Sequence, residues 1–116
     1  MRHYNRFVFT LGATAALLFC TATATATASS PSYEQGLEAA REYRYSLALT
    51  HFTVAAEHGD QDAQRSLGLM LLHGERLYGR EVRRDEEQAK RWLRAAAAQG
   101  CAISSHILKK LAKHAN

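Results

Sequence analysis

The sequence predicts an all-α fold, built as a short helical-repeat solenoid of about five antiparallel helices. A segment of the form AxxxFxxAAxxG begins at Ala48, and a matching AxxxLxxAAxxG begins at Ala89, 41 residues later. The apolar residues inside both copies recur at helical spacing. No stretch shows the alternation that is typical of a strand. A fixed period of this length, filled with helix-forming residues, is typical of a helical solenoid.

The first 28 residues have the pattern of a secretory signal peptide. Two arginines, Arg2 and Arg6, precede an apolar run from Phe7 to Cys20, and residues 26–28 read Ala-Thr-Ala. A positive start, a short apolar run and small residues at the cleavage point define such signals. The sequence therefore predicts that 29–116 is the mature domain. An uncleaved membrane anchor remains the alternative, because the apolar run and the following Ala/Thr stretch together reach the ~20 residues of a membrane span.

Charge and cysteine content change when this segment is removed. It holds two of the 15 Lys/Arg residues and none of the 11 Asp/Glu residues, so the mature net charge is +2. A charge that small argues against a nucleic-acid or membrane-surface partner. Cys101 is then the one remaining cysteine and has no internal partner. It is either a small buried apolar residue or the site of an intermolecular disulfide.

Three helices are predicted in the first half of the domain. Ser32 and Gln35 have the spacing of a capping box, which predicts a helix over roughly 33–41. A second helix is predicted over about 45–58, followed by Gly59 in the left-handed conformation. Asp60 is expected to cap a third helix, which runs to about residue 73. Their inward-facing residues are Ala48, Phe52, Ala55, Ala56, Ala63, Leu67, Met70 and Leu71.

The second half begins with a loop, Glu75 to Arg84, which is the longest connection that the sequence predicts. Asp85 and Gln88 form a second capping box and start a helix that reaches about Ala98. Gly100 matches Gly59 as a helix terminator. The last helix is predicted over about 102–113, with Ile103, Ile107, Leu108 and Leu111 in helical register.

The repeated segment resembles the Sel-one-like repeat family, which is related to the tetratricopeptide repeats. The two units cover about 44–80 and 85–113, and the family's Gly-x-Gly-Val-x-x-Asp turn is matched by Gly74, Gly79, Val82 and Asp85 with extra residues around 75–78. The resemblance implies a right-handed α-solenoid that serves as an adaptor in assembling complexes and is often exported. It implies no cofactor and no catalytic set.

The final helix differs from its counterpart in the first unit at two positions. Gly68 corresponds to Lys109, and Leu72 corresponds to Lys113. A glycine allows a following helix to approach closely, whereas the end of an array has no following helix. Together with Lys110, these lysines predict a polar, solvated cap on the last repeat. A site for an acidic partner is the alternative.

Residues with catalytic or metal-binding chemistry do not form a convincing site in the sequence. His51 and His58 lack a nearby Cys or carboxylate at ligand spacing. Ser104 and Ser105 adjoin His106, but adjacent residues of a helix point ~100° apart and do not face each other. We therefore expect no metal, cofactor or catalytic residue. A cell-wall or β-lactam hydrolase, related to cysteine-rich Sel-one-like proteins, is the enzyme alternative, although the paired cysteines of those proteins are missing.

Candidate binding residues follow from the way tetratricopeptide-like arrays line their concave side with the first helix of each pair. Trp92 and Leu93 are expected in the core. The extended loop is a second candidate, through Arg76, Leu77, Tyr78 and Arg80, unless Leu77 or Tyr78 folds back onto the helices. The partner-binding candidates are Tyr43, Tyr45, Thr50, Thr53, Tyr78, Arg91 and Arg94.

The function predicted from these features is an exported, non-enzymatic adaptor, periplasmic or secreted, that binds a protein or peptide. A membrane-tethered scaffold is the alternative if residues 1–28 are retained. Solenoids usually need at least ~3 repeats to bury a continuous core. Two repeats and one extra helix therefore suggest support by self-association or by the partner.

Overall fold

The computed structural model describes residues 29–115, and all of the regular structure in that range is helical. The predicted all-α class is confirmed. The predicted signal peptide lies outside the described residues. The helices are α1 (Pro31–Arg41), α2 (Tyr45–Glu57), α3 (Gln61–His73), α4 (Glu75–Tyr78), α5 (Glu86–Ala98) and α6 (Ala102–His114).

The start of α1 differs from the prediction. Ser30 is the N-cap, and its side chain accepts a hydrogen bond from the Tyr33 amide at 3.2 Å. The predicted capping box of Ser32 and Gln35 is wrong, because both residues lie inside the helix. Pro31 explains the shift: it has no amide hydrogen to leave unpaired, and its fixed φ suits the first helical position.

The other predicted boundaries agree with the structure to within about one residue. The Asp60 carboxylate accepts from the Ala63 amide at 2.9 Å, and Asp85 accepts from the Gln88 amide at 3.0 Å. Gly59 and Gly100 have φ values of 87° and 96°. Side-chain caps thus begin α3 and α5, and left-handed glycines end α2 and α5, as the sequence predicts.

The long connection between α3 and α5 is more ordered than a loop, because it contains the single helical turn α4. Val82 is fully buried and fixes the segment to the core, while the Asp85 amide donates to the Leu71 carbonyl at 2.9 Å. Of the two residues considered as plugs, Tyr78 packs against the core and Leu77 remains 60% exposed. A side chain at Gly74 would clash, since a Cβ there would lie 2.5 Å from the Arg84 nitrogen.

The long helices pack in chain order: α1 on α2, α2 on α3, α3 on α5 and α5 on α6. Two glycines permit the closest approaches. A Cβ at Gly36 of α1 would meet the Phe52 ring at 2.5 Å, and a Cβ at Gly68 of α3 would meet Leu93 at 2.8 Å. Phe52 and Leu93 are equivalent positions of the repeat. Helix α1 therefore takes the place, relative to α2, that α3 takes relative to α5.

The core consists mainly of small residues of the repeated segment. Ala48, Ala55, Ala56, Ala89 and Ala96 are all buried. Their small side chains let neighbouring helices approach closely, while a few large residues fill the remaining space. These large residues are Tyr33, Phe52, Leu67, Met70, Val82 and Leu93, with Trp92 packed against the cluster.

Candidate partner-binding surface

Antiparallel packing places chemically different residues at the two ends of the helices. At one end, called here the loop end, the C-termini of α1 and α3 meet the N-termini of α2 and α5 beside α4. At the other, called the turn end, the N-terminus of α1 meets the short α2–α3 and α5–α6 turns. The predicted tyrosines lie at the loop end, and a hydrogen-bond network lies at the turn end.

Three tyrosines form a continuous aromatic cluster at the loop end. The rings of Tyr43 and Tyr45 are edge-to-face with centroids 6.2 Å apart, and those of Tyr45 and Tyr78 are edge-to-face at 5.2 Å. Both distances lie in the range where ring quadrupoles attract. Burial, with a smaller contribution from Tyr45, raises the pKa of Tyr78. The structure thus brings together three residues from two separate parts of the sequence, and we call them the tyrosine cluster.

Tyr43 has an unusual backbone conformation. Its φ is 61°, which makes it the one residue other than glycine with positive φ among residues 29–115. The Tyr43 amide donates to the Ala40 carbonyl at 3.1 Å, and the Arg44 amide donates to the Ala39 carbonyl at 2.9 Å.

The same hydrogen bonds recur after α2 and α5, where Gly59 and Gly100 occupy the position of Tyr43. This position follows the helix C-cap and requires the left-handed conformation, which glycine adopts without strain. For a residue with a Cβ, this conformation costs roughly 1 kcal/mol of conformational energy. Tyr43 adopts this strained conformation although 78% of its surface is exposed to solvent.

The surroundings of the tyrosine cluster include both apolar and charged groups. Leu77, next to Tyr78, is also exposed. Arg44 lies between Tyr43 and Tyr45 in the chain and forms a surface ion pair with Glu42 at 3.4 Å. Exposed pairs of this kind contribute little to stability, so the Arg44 guanidinium can exchange its partner at small cost.

The remaining candidates do not join this cluster. Thr50 and Thr53 each donate their hydroxyl hydrogen within α2, to the Ser46 carbonyl at 3.1 Å and the Leu49 carbonyl at 2.7 Å. Arg91 and Arg94 are exposed on α5, and Arg94 borders a small cleft between α5 and α6. Their role in binding stays a prediction.

The turn end holds a polar network that sequence reasoning missed. Gln99 Nε2 donates to the Gly59 carbonyl at 3.0 Å and to Gln64 Oε1 at 2.8 Å, and Gln61 donates to the Gln99 carbonyl at 3.1 Å. Gln64 is buried and also donates to the Ala56 carbonyl at 3.2 Å. Glutamines at helix ends give no sequence signal, because they are ordinary surface residues. The network joins the turns of the two repeats.

Asp60 connects α1 to this end. One carboxylate oxygen accepts from the Ser30 amide at 2.9 Å while the other caps α3. Burial alone would raise the pKa of Asp60, but hydrogen bonds from Ser30 and Ala63 outweigh it and lower the pKa. The nearby cleft of ≈ 370 Å³ is lined by Asp60, Asp62, His58 and their neighbours, and the Asp62 carboxylate is paired with Arg65 at 2.9 Å. The Asp60 carboxylate therefore has a structural role.

Cys101 is buried at the start of α6. The Ser104 hydroxyl, also buried, donates to the Cys101 sulfur at 3.3 Å. Burial would raise the pKa of the thiol, but the interactions with Ser104 and Arg65 outweigh it and lower the pKa. Burial of the sulfur limits its access to a second thiol, whichever protonation state it holds.

The part of the chain that the structure describes also lacks metal-binding and membrane-spanning features. No group of three or more His, Cys, Asp and Glu side chains within 29–115 is arranged to hold a metal ion. His58 instead places Nδ1 2.7 Å from the Val54 carbonyl of its own helix. None of the helices described between residues 29 and 115 is long and apolar enough to cross a membrane.

Comparison with known proteins adds no family assignment. No protein-family model matches the chain, and no match was found among curated proteins or solved structures.

Proposed function

We propose that this protein is an exported, non-enzymatic adaptor that binds a protein or peptide through the tyrosine cluster of its helical-repeat surface. The observation that carries the proposal is Tyr43, which is both strained and exposed. The pattern of residues 1–28 supports export, and the resemblance to Sel-one-like repeats supports an adaptor role.

Backbone hydrogen bonding gives no reason for a tyrosine at position 43. Glycine would satisfy the same two backbone hydrogen bonds without strain, as it does at the ends of α2 and α5. Strain retained at an exposed position suggests a role in binding. Tyrosine is enriched in the energetically important centres of protein interfaces, because a rigid ring gives a large contact area at low entropic cost.

Packing within the tyrosine cluster orders its rings before a partner binds. Tyr45 and Tyr78 hold each other edge-to-face, and Tyr43 extends that row into solvent. Since the rings are already ordered, a partner that covers them meets a smaller entropic cost. An adjacent leucine and arginine offer an apolar contact and a cation, which suits an extended peptide with an acidic group.

The substitution Tyr43→Gly separates folding from binding. It removes the left-handed strain of roughly 1 kcal/mol, but it also removes the edge-to-face contact with Tyr45, which is worth about as much. We therefore expect the free energy of unfolding to stay within about 1 kcal/mol of the wild type, whereas binding should be lost because the exposed ring is gone. Unfolding is followed by circular dichroism.

Binding is measured in two steps. Proteins captured from an envelope extract by the wild-type protein are identified by mass spectrometry, and the affinity of the purified partner is then measured by calorimetry. Ile103→Ala is the matched control, because Ile103 is an exposed apolar residue at the turn end. We expect wild-type affinity for Ile103→Ala and at least a tenfold loss for Tyr43→Gly. Equal affinity of all three proteins would contradict the proposal.

A further inference from the structure

The first and last helices carry opposite charges on the faces that end the array. Helix α1 and its C-cap contain Glu34, Glu38 and Glu42 against the single Arg41. Helix α6 contains Lys109, Lys110 and Lys113 and no acidic residue. The four helices between them separate these two charged surfaces along the packing order.

The acidic residues of α1 face away from the rest of the molecule. Gly36 marks the face that contacts α2, since a Cβ added to it would lie 2.5 Å from the Phe52 ring. A helix turns about 100° per residue, so positions two before and two after Gly36 lie about 160–200° from it. These positions are Glu34 and Glu38, and both are exposed. We call them the acidic end.

The basic residues of α6 face away in the same manner. Ser104 is completely buried. Lys109 and Lys113, five and nine positions further along, therefore lie on the opposite side of the helix. Both are exposed and line an open groove of ≈ 560 Å³ together with His106, Lys110 and Ala112. We call Lys109 and Lys113 the basic end.

Repeat packing cannot continue beyond the basic end. At the equivalent position of α3, Gly68 lets Leu93 of the next repeat approach closely. The Lys109 side chain occupies that space on α6, so a further helix of the same kind would bury an ammonium group among apolar atoms, which is strongly unfavourable. Any contact at this face must therefore satisfy the lysine charges.

Within 29–115, no carboxylate lies within ion-pair distance of Lys109 or Lys113. At the acidic end, Glu38 pairs with Arg41 at 3.1 Å, and both groups are largely exposed. Such a pair adds little stability and can be exchanged. The spacing also matches, because each end presents two charges four residues apart, about 6 Å along a helix axis.

We propose that copies of this protein associate head to tail, with the basic end of α6 on one copy against the acidic end of α1 on the next. The contact joins two different surfaces, so each copy can bind a further copy, and the product is a short chain, or a ring where the rotation between copies closes. It is driven by charge and is therefore weak and sensitive to salt. This association uses the ends of the array and leaves the tyrosine cluster of each copy available to a partner.

Sedimentation velocity on the protein purified after expression of the full chain tests the proposal. At about 0.01 M ionic strength the Debye length is about 30 Å, and at 1 M it is about 3 Å. We expect the weight-average mass to rise with protein concentration at the lower salt and to return to the monomer mass at the higher salt. A monomer at every concentration in low salt would overturn the proposal.

Charge reversal distinguishes a specific contact from general attraction. Lys109→Glu/Lys113→Glu gives two acidic ends, and Glu34→Lys/Glu38→Lys gives two basic ends. Each variant alone should remain monomeric, whereas an equimolar mixture of the two should associate. The combined four-residue variant should associate as the wild type does. A mixture that stays monomeric would overturn the proposal, as would either double variant associating alone.

Arg80→Glu/Arg83→Glu is the matched control. It changes the net charge by the same amount as Lys109→Glu/Lys113→Glu, but at exposed positions of the loop end. We expect it to associate at low salt like the wild type. If it becomes monomeric as well, association depends on net charge alone and the specific contact is excluded. Circular dichroism melting of each variant verifies folding, which exposed substitutions should preserve.

Discussion

Tyr43 and Asp60 show how single side chains determine local structure in this protein. Tyr43 occupies a position where α2 and α5 are followed by glycine, and its ring is largely exposed to solvent. Asp60 does the opposite, since its carboxylate is used entirely within the protein. It accepts from the Ser30 amide with one oxygen and from the Ala63 amide with the other. We propose that Tyr43 acts in binding, whereas Asp60 stabilises the fold.

Asp60→Asn should destabilise the protein by about 1–2 kcal/mol at pH 7, because an asparagine has one acceptor oxygen and would leave an amide unpaired. The matched control is Asp85→Asn, since Asp85 uses one oxygen to cap α5 and asparagine caps equally well. We expect the control to stay within about 0.5 kcal/mol of the wild type. Urea unfolding measures both. Equal losses in the two variants would show that the link from Asp60 to Ser30 contributes nothing.

The lowered pKa of Asp60 also predicts a pH dependence. A carboxyl group whose pKa is lower in the folded state stabilises that state fully above its unfolded pKa. This stabilisation is lost as the pH falls through the folded pKa. The wild type should therefore lose stability below about pH 4, and Asp60→Asn should lose less over the same interval. A steeper acid loss in Asp60→Asn would contradict this assignment.

At the scale of elements, the spacing between helices is set by glycine and alanine. Gly68 of α3 lies against Leu93 and the Ala89 carbonyl of α5, which would lie 2.8 Å and 3.2 Å from an added Cβ. Lys109 is at the equivalent position of α6 and is exposed. In α3 this position of the repeat therefore leaves no room for a side chain, whereas the equivalent position in α6 holds a long, exposed one.

Gly68→Ala should destabilise the protein by about 1–3 kcal/mol through overpacking, although alanine is the better helix former by about 1 kcal/mol. Lys109→Ala is the matched control and should change stability by less than about 0.5 kcal/mol, since it removes only exposed atoms. Thermal unfolding followed by circular dichroism measures both variants. An increase in Tm for Gly68→Ala would mean that α3 and α5 are not in the close contact described here.

The connection between α3 and α5 shows a limit of sequence reasoning at this scale. The glycines and charged residues of this segment correctly predict a break between two long helices, and Val82 matches the valine of the Gly-x-Gly-Val-x-x-Asp turn. The sequence did not reveal α4 or decide which of Leu77 and Tyr78 folds back. That choice depends on the Tyr45 ring, 33 residues away in the chain, which packs on Tyr78.

At the scale of the whole molecule, the two repeats are joined by apolar packing and by the glutamine network. Helix α3 packs on α5, while Gln64 and Gln99 connect the adjoining turns at the end of that interface. Both contributions link residues that are far apart in the sequence. A substitution that destabilises one repeat should therefore also destabilise the other.

A double-mutant cycle on Gln64→Ala and Gln99→Ala measures this connection. The two side chains share a hydrogen bond of 2.8 Å, so we expect a coupling energy of at least about 0.5 kcal/mol. Gln64→Ala and Gln88→Ala form the control cycle, because Gln88 is exposed on α5. Their effects should add. Urea unfolding gives all the values, and additivity in the first cycle would exclude a contribution of the network to repeat coupling.

The sequence by itself determined the five long helices and their order, but not the single turn α4. Helix periodicity, capping residues and terminating glycines act through neighbours within about five positions, so they can be recognised without a fold. The exception at Ser32 was local too, since Pro31 moved the start of α1. Equivalent positions of the repeat also indicated correctly that Gly68 would be in close contact and Lys109 exposed.

The tertiary structure alone decided which residues meet. Tyr43, Tyr45 and Tyr78 became one cluster because antiparallel packing brings α4 to the start of α2. The same packing joined Gln64 to Gln99 and placed the charges of α1 and α6 at opposite ends. These arrangements depend on contacts across several tens of residues, which local patterns do not encode. The helices therefore follow from local chemistry, and the surfaces they present follow from packing.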